Sequence, residues 1–179
     1  GHKALLGPTG IGGLYVREDV DIRHTRAGGT GVRSAVRRHL DEYPYRLEFG
    51  TPNVLGIAGV HAGVKWLEKR GVRALHEQEM RLTEMLRDGL AAVPGVTLYC
   101  QNDLDGHISV LLFNVDGVEA MDVGTILDVD YGIACRTGLH CAPLVHEQLG
   151  TDKIHGAVRF GIGPFNTEED IRAAIGAVG

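Results

Sequence analysis

The chain lacks any run of about 20 apolar residues, the length that a membrane-spanning helix needs. Its first residues also lack the charged-then-apolar order of an export signal. Its three cysteines, Cys100, Cys135 and Cys141, are an odd number with no Cys-x-x-Cys spacing. These absences argue against a membrane protein, a disulfide framework and a bound metal. They predict a cytoplasmic protein with free thiols.

Positive charge is not in excess either. The 179 residues include 18 Lys and Arg against 23 Asp and Glu, a net charge of -5, which argues against a nucleic-acid partner. The one basic cluster, residues 33–38, has no aromatic residues between its arginines. It is typical of a solvated helix face or an intersubunit patch. A hydrophobic content of 44% is enough for one or two small domains.

Apolar periodicity predicts an α/β protein in two parts. A helix rich in small residues follows Asn53 and ends at Gly71, and a long amphipathic helix begins at Arg73. We expect the first of these helices to be buried. Strands are predicted at residues 12–18, 96–100, 107–115, 131–137 and 157–163, and further helices at 119–128, at 144–149 and after Asn166–Thr167. We place the boundary near Val72, which gives domains of residues 1–72 and 73–179.

The segment RTGLHCAPL, residues 136–144, holds the most informative cysteine, Cys141. A free cysteine is often a small buried hydrophobe, but the neighbours here are polar and turn-forming. A nearby imidazole or guanidinium lowers a thiol pKa and makes the sulfur nucleophilic, and His140 and Arg136 are both close in sequence. Arg159 lies within an apolar predicted strand, where it needs either an internal salt bridge or an anionic ligand.

Two more segments could take part in chemistry. The chain begins Gly-His-Lys, and the glycine-rich segment GPTGIGG follows Lys3. A lysine becomes a Schiff-base nucleophile when its amine is desolvated or held near other cations. Thr51, in the GTPN turn, either caps the next helix or binds a phosphate at its N-terminus. The residues alone leave both alternatives open.

Five segments in this order resemble the cysteine desulfurase and selenocysteine lyase group of the class V aminotransferases, PLP enzymes of fold type I. The segments are GHKALLGPTGIGGLYV, RAGGTG, LEFGTPN, RTGLHCAPL and VRFGIGPFNT. The resemblance implies an α/β fold that is the C-terminal part of such an enzyme, namely the end of its large PLP-binding domain followed by its small domain. It also implies pyridoxal 5'-phosphate as cofactor.

The resemblance also implies roles for residues near the two ends of the first part. Lys3 corresponds to the lysine that binds PLP covalently, and His2 to the histidine before it, which helps bind the cofactor phosphate. Thr51 corresponds to a threonine that reaches the cofactor phosphate of the neighbouring subunit, so a homodimer is implied.

In the second part, Cys141 corresponds to the nucleophile that takes sulfur from L-cysteine as a persulfide and leaves L-alanine, with His140 helping to deprotonate the thiol. Arg159 corresponds to the arginine that binds the substrate carboxylate, and Arg136 to a second arginine of the substrate site. Leu139 stands where family members often have a second histidine, which bears on the preference for sulfur or selenium.

The family's cofactor-binding residues upstream of the lysine lie outside this sequence. We therefore expect the 179-residue chain by itself to bind PLP weakly and to turn over little. The alternatives are another class V enzyme, such as an aminotransferase or a selenocysteine lyase acting on L-selenocysteine, and a non-catalytic dimerisation or scaffold fragment. A sulfur-acceptor protein is a possible partner. We expect Lys3 and Cys141 to face one cavity.

Overall fold

The structure, a computed structural model, describes residues 1–100 and 104–179. The chain divides into two compact units, Gly1–Gly71 and Val72–Gly179. No helix of the described residues is both long enough and apolar enough to cross a membrane.

The first unit has one long helix, α1 (Val54–Arg70), which begins after Asn53 and ends at Gly71 as predicted. Most of its residues are exposed, and only Gly56 and Gly63 are buried, so the expectation of a buried helix was wrong. A short 3₁₀ turn, Tyr45–Leu47, precedes it. The predicted strand at residues 12–18 is also wrong, since these residues pair with no other strand of the described chain. Alternation predicts a strand only where a partner accepts its backbone hydrogen bonds.

The second unit alternates helices and strands. Its elements are α2 (Val72–Ala91), β1 (Val96–Leu98), β2 (Val110–Val115), α3 (Ala120–Tyr131), β3 (Arg136–Gly138), α4 (Pro143–Leu149), β4 (Ala157–Gly161) and α5 (Glu168–Val178). Every helix and strand predicted after residue 73 has a counterpart here. One predicted strand is too long: Tyr131 ends α3 and Gly132 takes a left-handed conformation, so the strand expected at 131–137 is reduced to β3.

The four strands form one antiparallel sheet in the order β1-β2-β4-β3. In the β3–β4 pair, Arg136 faces Arg159 and Gly138 faces Ala157. In the β2–β4 pair, Leu112 faces Arg159. Strand β4 is therefore central in this part of the sheet, and it places Arg159 between two neighbouring strands.

The core of the second unit lies between the sheet and the helices α2, α3 and α5. The amphipathic helix α2 contributes Leu82, Leu86 and Leu90, each at most 1% exposed, and β2 contributes Phe113 at 0%. The period of the α2 leucines is that of one helix face. This buried layer supports strands β2 and β4 and thereby the loops at their ends.

Helix α5 begins after Thr167, one of the two residues at which its start was predicted, with a capping box. The hydroxyl of Thr167 accepts a hydrogen bond from the Asp170 N–H, and the Asp170 carboxylate accepts one from the Thr167 N–H. Two amide groups that the helix leaves unpaired are thereby satisfied.

Candidate active site

The loop between β3 and α4 presents the Cys141 thiol, which is exposed. His140 and Cys141 have φ angles of +53° and +57°, in the left-handed region that non-glycine residues rarely adopt. A hydrogen bond of 2.8 Å from the Ala142 N–H to the Leu139 carbonyl closes the turn. Two successive residues in this conformation cost free energy, roughly 1–3 kcal/mol each, and such strain concentrates at functional sites.

The other two cysteines have a different environment. Cys100 and Cys135 are half-buried and pack against the hydrophobic core of the second unit. Burial raises the pKa of both thiols, and at Cys100 the positive charge of Arg87 opposes that effect. A buried thiol with a raised pKa is a poor nucleophile, so Cys141 is the accessible thiol of the three.

Arg136 and Arg159 face each other on β3 and β4, so their side chains leave the same side of the sheet. Arg136 is exposed and Arg159 is half-buried. Neither makes a salt bridge with any carboxylate within residues 1–100 and 104–179. Like charges directly opposite on a sheet repel each other. The internal salt bridge considered for Arg159 is therefore absent from the described chain, and the pair is suited to an anion such as a carboxylate.

His140 lies among positive charges. Burial lowers its pKa below the ordinary value of 6.5, the carbonyl of Arg136 opposes that effect, and the charges of Arg159, His146 and Arg136 lower it further. Its Nε2 atom is shielded from solvent and has no hydrogen-bond partner in the described residues. The ring is therefore biased toward its neutral form, the form in which an imidazole accepts a proton.

Behind His140 lie two groups that the sequence did not single out for this role. Nδ1 of His140 is 3.1 Å from Nε2 of His146, and Nδ1 of His146 is 2.7 Å from Oγ1 of Thr151. Neither contact was predicted from the sequence. The signal was weak, because a histidine in a short polar helix gives no sign of being buried.

In the first unit, Lys3 lies in a tight turn that α1 supports. The Leu6 N–H donates to the Lys3 carbonyl at 2.9 Å. A methyl group added at Gly59 would lie 2.6 Å from Pro8 Cδ, and one at Gly63 would overlap the carbonyl of Leu5. The glycines of α1 thus allow the segment that carries Lys3 to lie directly on the helix.

The Lys3 side chain itself is exposed and makes no salt bridge within the described ranges. His2, next to it, is exposed as well. Both side chains are therefore open to a ligand.

The segment RAGGTG, residues 26–31, lies against the GTPN turn, residues 50–53. The Gly50 N–H donates to the Gly29 carbonyl at 2.8 Å, and a Cβ at Gly31 would lie 2.7 Å from the Gly50 carbonyl oxygen. Thr51, which follows, is exposed. Asn53 caps α1 by accepting a hydrogen bond of 2.9 Å from the Gly56 N–H, so the alternative that Thr51 is the helix cap is wrong.

The side chains of the first unit suit a phosphorylated aldehyde. A primary amine reacts with an aldehyde, and an imidazole and a hydroxyl donate hydrogen bonds to phosphate. Lys3, His2 and Thr51 supply these three groups, and all three are exposed. The described residues contain no group of three or more His, Cys, Asp or Glu side chains placed to bind a metal ion.

The family model for class V aminotransferases matches residues 1–173. The chain therefore belongs to the class V aminotransferase family, whose members are PLP enzymes.

Among its relatives are proteins described as cysteine desulfurases. The chain is 36% identical over 182 residues to a probable cysteine desulfurase of Pyrococcus abyssi, covering 99% of this chain and 44% of the relative. It is 35% identical to the Escherichia coli K12 cysteine desulfurase CsdA, covering 99% of this chain and 43% of that protein. The chain thus spans a little under half the length of these relatives.

Solved structures agree with this relationship. The apo structure of the Thermococcus onnurineus cysteine desulfurase matches with a TM-score of 0.88 at 36% identity, over 98% of this chain and 44% of that one. The Escherichia coli CsdA structure in its S-sulfonic acid form matches with a TM-score of 0.84 at 33% identity, over 97% and 43%. The predicted fold, that of part of a cysteine desulfurase-like enzyme, is confirmed.

Proposed function

We propose that the intact protein is a PLP-dependent cysteine desulfurase that converts L-cysteine to L-alanine and collects the sulfur on Cys141. One observation carries this proposal. An exposed thiol on a strained loop follows a strand whose arginine faces a second arginine, with no carboxylate of the described residues on either. The relatives described as cysteine desulfurases support it.

Arg159 and Arg136 bind the substrate carboxylate in this proposal. A guanidinium fork matches the two oxygens of a carboxylate, and the anion removes the repulsion between the two facing arginines. Arg159 lies at the centre of a rigid sheet, so it fixes the position of the amino acid. Such orientation lowers the entropic part of the barrier.

Cys141 is the nucleophile. Its thiol gives a proton to His140, and the resulting thiolate attacks the substrate sulfur. A bond forms between Sγ of Cys141 and that sulfur while the bond from the sulfur to the substrate Cβ breaks. The electron pair of the broken bond stays on Cβ, which takes up a proton as alanine is formed. The product on the chain is a persulfide. The neutral form of His140, favoured by burial and by the two arginines, is the form that accepts the proton.

Lys3, His2 and Thr51 would hold PLP. Lys3 would bind its aldehyde covalently, and the Lys3 amine would serve as the base for the Cα proton of the amino acid. His2 and the hydroxyl of Thr51 would donate hydrogen bonds to the phosphate, Thr51 to that of a neighbouring subunit in a homodimer. When bound, PLP supplies the electron sink that stabilises negative charge at the substrate.

A persulfide has to be passed on, so a sulfur-acceptor protein is a further expected partner. The cytoplasmic location stays a prediction from the free cysteines, and so does the cavity shared by Lys3 and Cys141.

The test is to supply the intact protein with PLP and L-cysteine, measure alanine, and look for a persulfide on the peptide that contains Cys141. We expect both products in the wild type. Cys141→Ala should abolish the persulfide, whereas Cys135→Ala, at a half-buried thiol, should retain it. If alanine release is unchanged in Cys141→Ala, the assignment of the nucleophile is wrong.

The same assay separates the other candidates. Turnover of L-selenocysteine alone would indicate a selenocysteine lyase, and formation of a keto acid would indicate an aminotransferase. For the isolated chain, the expected weak binding of PLP is checked by titrating PLP and following the absorbance of the lysine adduct, with Lys3→Ala as control. A stoichiometric adduct together with alanine formation would refute that expectation.

A further inference from the structure

A buried polar pair lies directly behind the Cys141 loop. His146, in α4, and Thr151, in the 3₁₀ turn that follows, are each only 1% exposed. Polar side chains are rarely buried this completely unless they are hydrogen-bonded. The two are bonded to each other, and His146 is in turn bonded to His140.

One direction of this chain of contacts gives both neighbours of the Thr151 hydroxyl a hydrogen bond. The hydroxyl has one proton, which can go to the His146 carbonyl at 3.5 Å. The hydroxyl oxygen then accepts from Nδ1–H of His146 at 2.7 Å. A neutral imidazole has only one N–H, so Nε2 of His146 is left as an acceptor. It then accepts from Nδ1–H of His140, 3.1 Å away.

The consequence falls on the other ring nitrogen of His140. With its proton on Nδ1, neutral His140 has a bare Nε2, and this is the atom that is shielded from solvent and has no partner among the described residues. His140 directly precedes Cys141 in the strained turn.

We propose that His146 and Thr151 are positioning residues that hold His140 with its proton on Nδ1, so that Nε2 is the base for the Cys141 thiol. The proposal rests on the proposed function only in giving Cys141 a catalytic task.

The step itself balances. The S–H bond of Cys141 breaks and an N–H bond forms at Nε2 of His140, which leaves a thiolate and an imidazolium. Nε2 of His146 stabilises that imidazolium by accepting from its Nδ1–H. The charges that face the ring are Arg136 and Arg159 on the neighbouring strands and His146 on α4. Each of these charges disfavours the imidazolium, whereas the carbonyl of Arg136 and the acceptor on His146 favour it.

The experiment measures thiol alkylation, which needs neither PLP nor substrate. The full chain is treated with iodoacetamide near neutral pH, and labelling of each cysteine is followed by peptide mass spectrometry. Thr151→Val removes the hydroxyl at nearly constant volume, and Thr151→Ser, the matched control, retains it. We expect Cys141 labelling to slow about tenfold in Thr151→Val, part of the 10²–10⁴-fold that a positioned base typically provides. Thr151→Ser should restore it.

Cys100 and Cys135 are internal reporters of structure. If the substitution merely loosens the fold, these half-buried thiols will react faster and Cys141 will not react more slowly. That result, or equal Cys141 rates in Thr151→Val and Thr151→Ser, overturns the proposal. A failure of desulfurase activity leaves these rates untouched, so the two proposals are tested separately.

A measurement on the wild type removes any dependence on the folding of the variants. Two-bond ¹H–¹⁵N correlation spectra distinguish the two tautomers of a histidine ring. We expect the proton of neutral His140 on Nδ1 and that of His146 on Nδ1. A proton on Nε2 of His140 contradicts the proposal.

Discussion

The close approach of β3 to Gly156, the residue before β4, makes Gly156 a position where one added methyl group should be strongly destabilising. Gly156 has a φ of +103°, and a Cβ built there would lie 2.6 Å from Cα of Gly138 and closer still to its carbonyl group. The neighbouring atoms belong to backbone, so the clash cannot be relieved by rotating a side chain. In Gly156→Ala the strand β3 has to move away from β4.

The cost can be worked out from two terms. A non-glycine residue in a sparsely populated conformation costs roughly 1–3 kcal/mol, and an overpacked methyl group costs roughly 1–3 kcal/mol more. The free energy of unfolding of the second unit should therefore fall by about 2–6 kcal/mol, a large part of the 5–15 kcal/mol typical of a domain. With a urea dependence of about 2 kcal/mol per molar, the midpoint should drop by roughly 1–3 M.

Gly161 provides the matched control, because it is the last residue of β4, the strand that Gly156 directly precedes, has no positive φ, and a methyl group added to it would meet no atom within 4 Å. Gly161→Ala should be neutral or stabilise by up to about 1 kcal/mol through the unfolded chain. Pulsed alkylation of Cys135 in increasing urea reports the second unit specifically, since that thiol packs against its core. Equal midpoints for the two alanine variants would refute the argument from the β3–β4 contact.

Three further predictions concern the second unit. Leu90→Ala removes a side chain that is 0% exposed in the core, and we expect a loss of about 2–5 kcal/mol in urea unfolding; a loss below about 1 kcal/mol would contradict its place in the core. Thr167→Ala removes the hydroxyl half of the α5 capping box and should cost about 1 kcal/mol, whereas Thr167→Ser should cost almost nothing. The folded-state pKa of His140 lies below 6.5, so the unfolded state binds more protons just below that pH. The stability that neutral His140 contributes is complete above pH 6.5 and is lost as the pH falls through the folded-state pKa. His140→Gln should therefore make the free energy of unfolding less dependent on pH between the folded-state pKa and pH 6.5.

Much of the second unit could be predicted because its signals are local. The leucines of α2 repeat at the helical period, and α5 begins after Thr167, within the predicted pair Asn166–Thr167. The errors occurred where local pattern and tertiary setting differ. Residues 12–18 alternate like a strand but have no partner strand in the described chain. The apolar run from Tyr131 is a helix end followed by a connecting segment, because Gly132 ends α3.

The candidate site residues could be predicted from the sequence, but their arrangement could not. The motif order alone pointed to Lys3, Cys141 and Arg159, since a lysine, a thiol and an arginine at those positions carry recognisable chemistry. That Arg136 stands opposite Arg159 depends on the β3–β4 register, which no local pattern sets.

The sequence by itself determined the family, the helices and the thiol on a polar loop, because each depends on residues close together in the chain. Only the tertiary structure decided that His140 contacts His146, which in turn contacts Thr151. It also decided that Arg136 and Arg159 lie on one side of the sheet with no carboxylate of the described chain between them. The physical reason is burial. A histidine or an arginine has the same chemistry wherever it occurs, but its proton and its need for an anion are set by neighbours that folding brings from elsewhere in the chain.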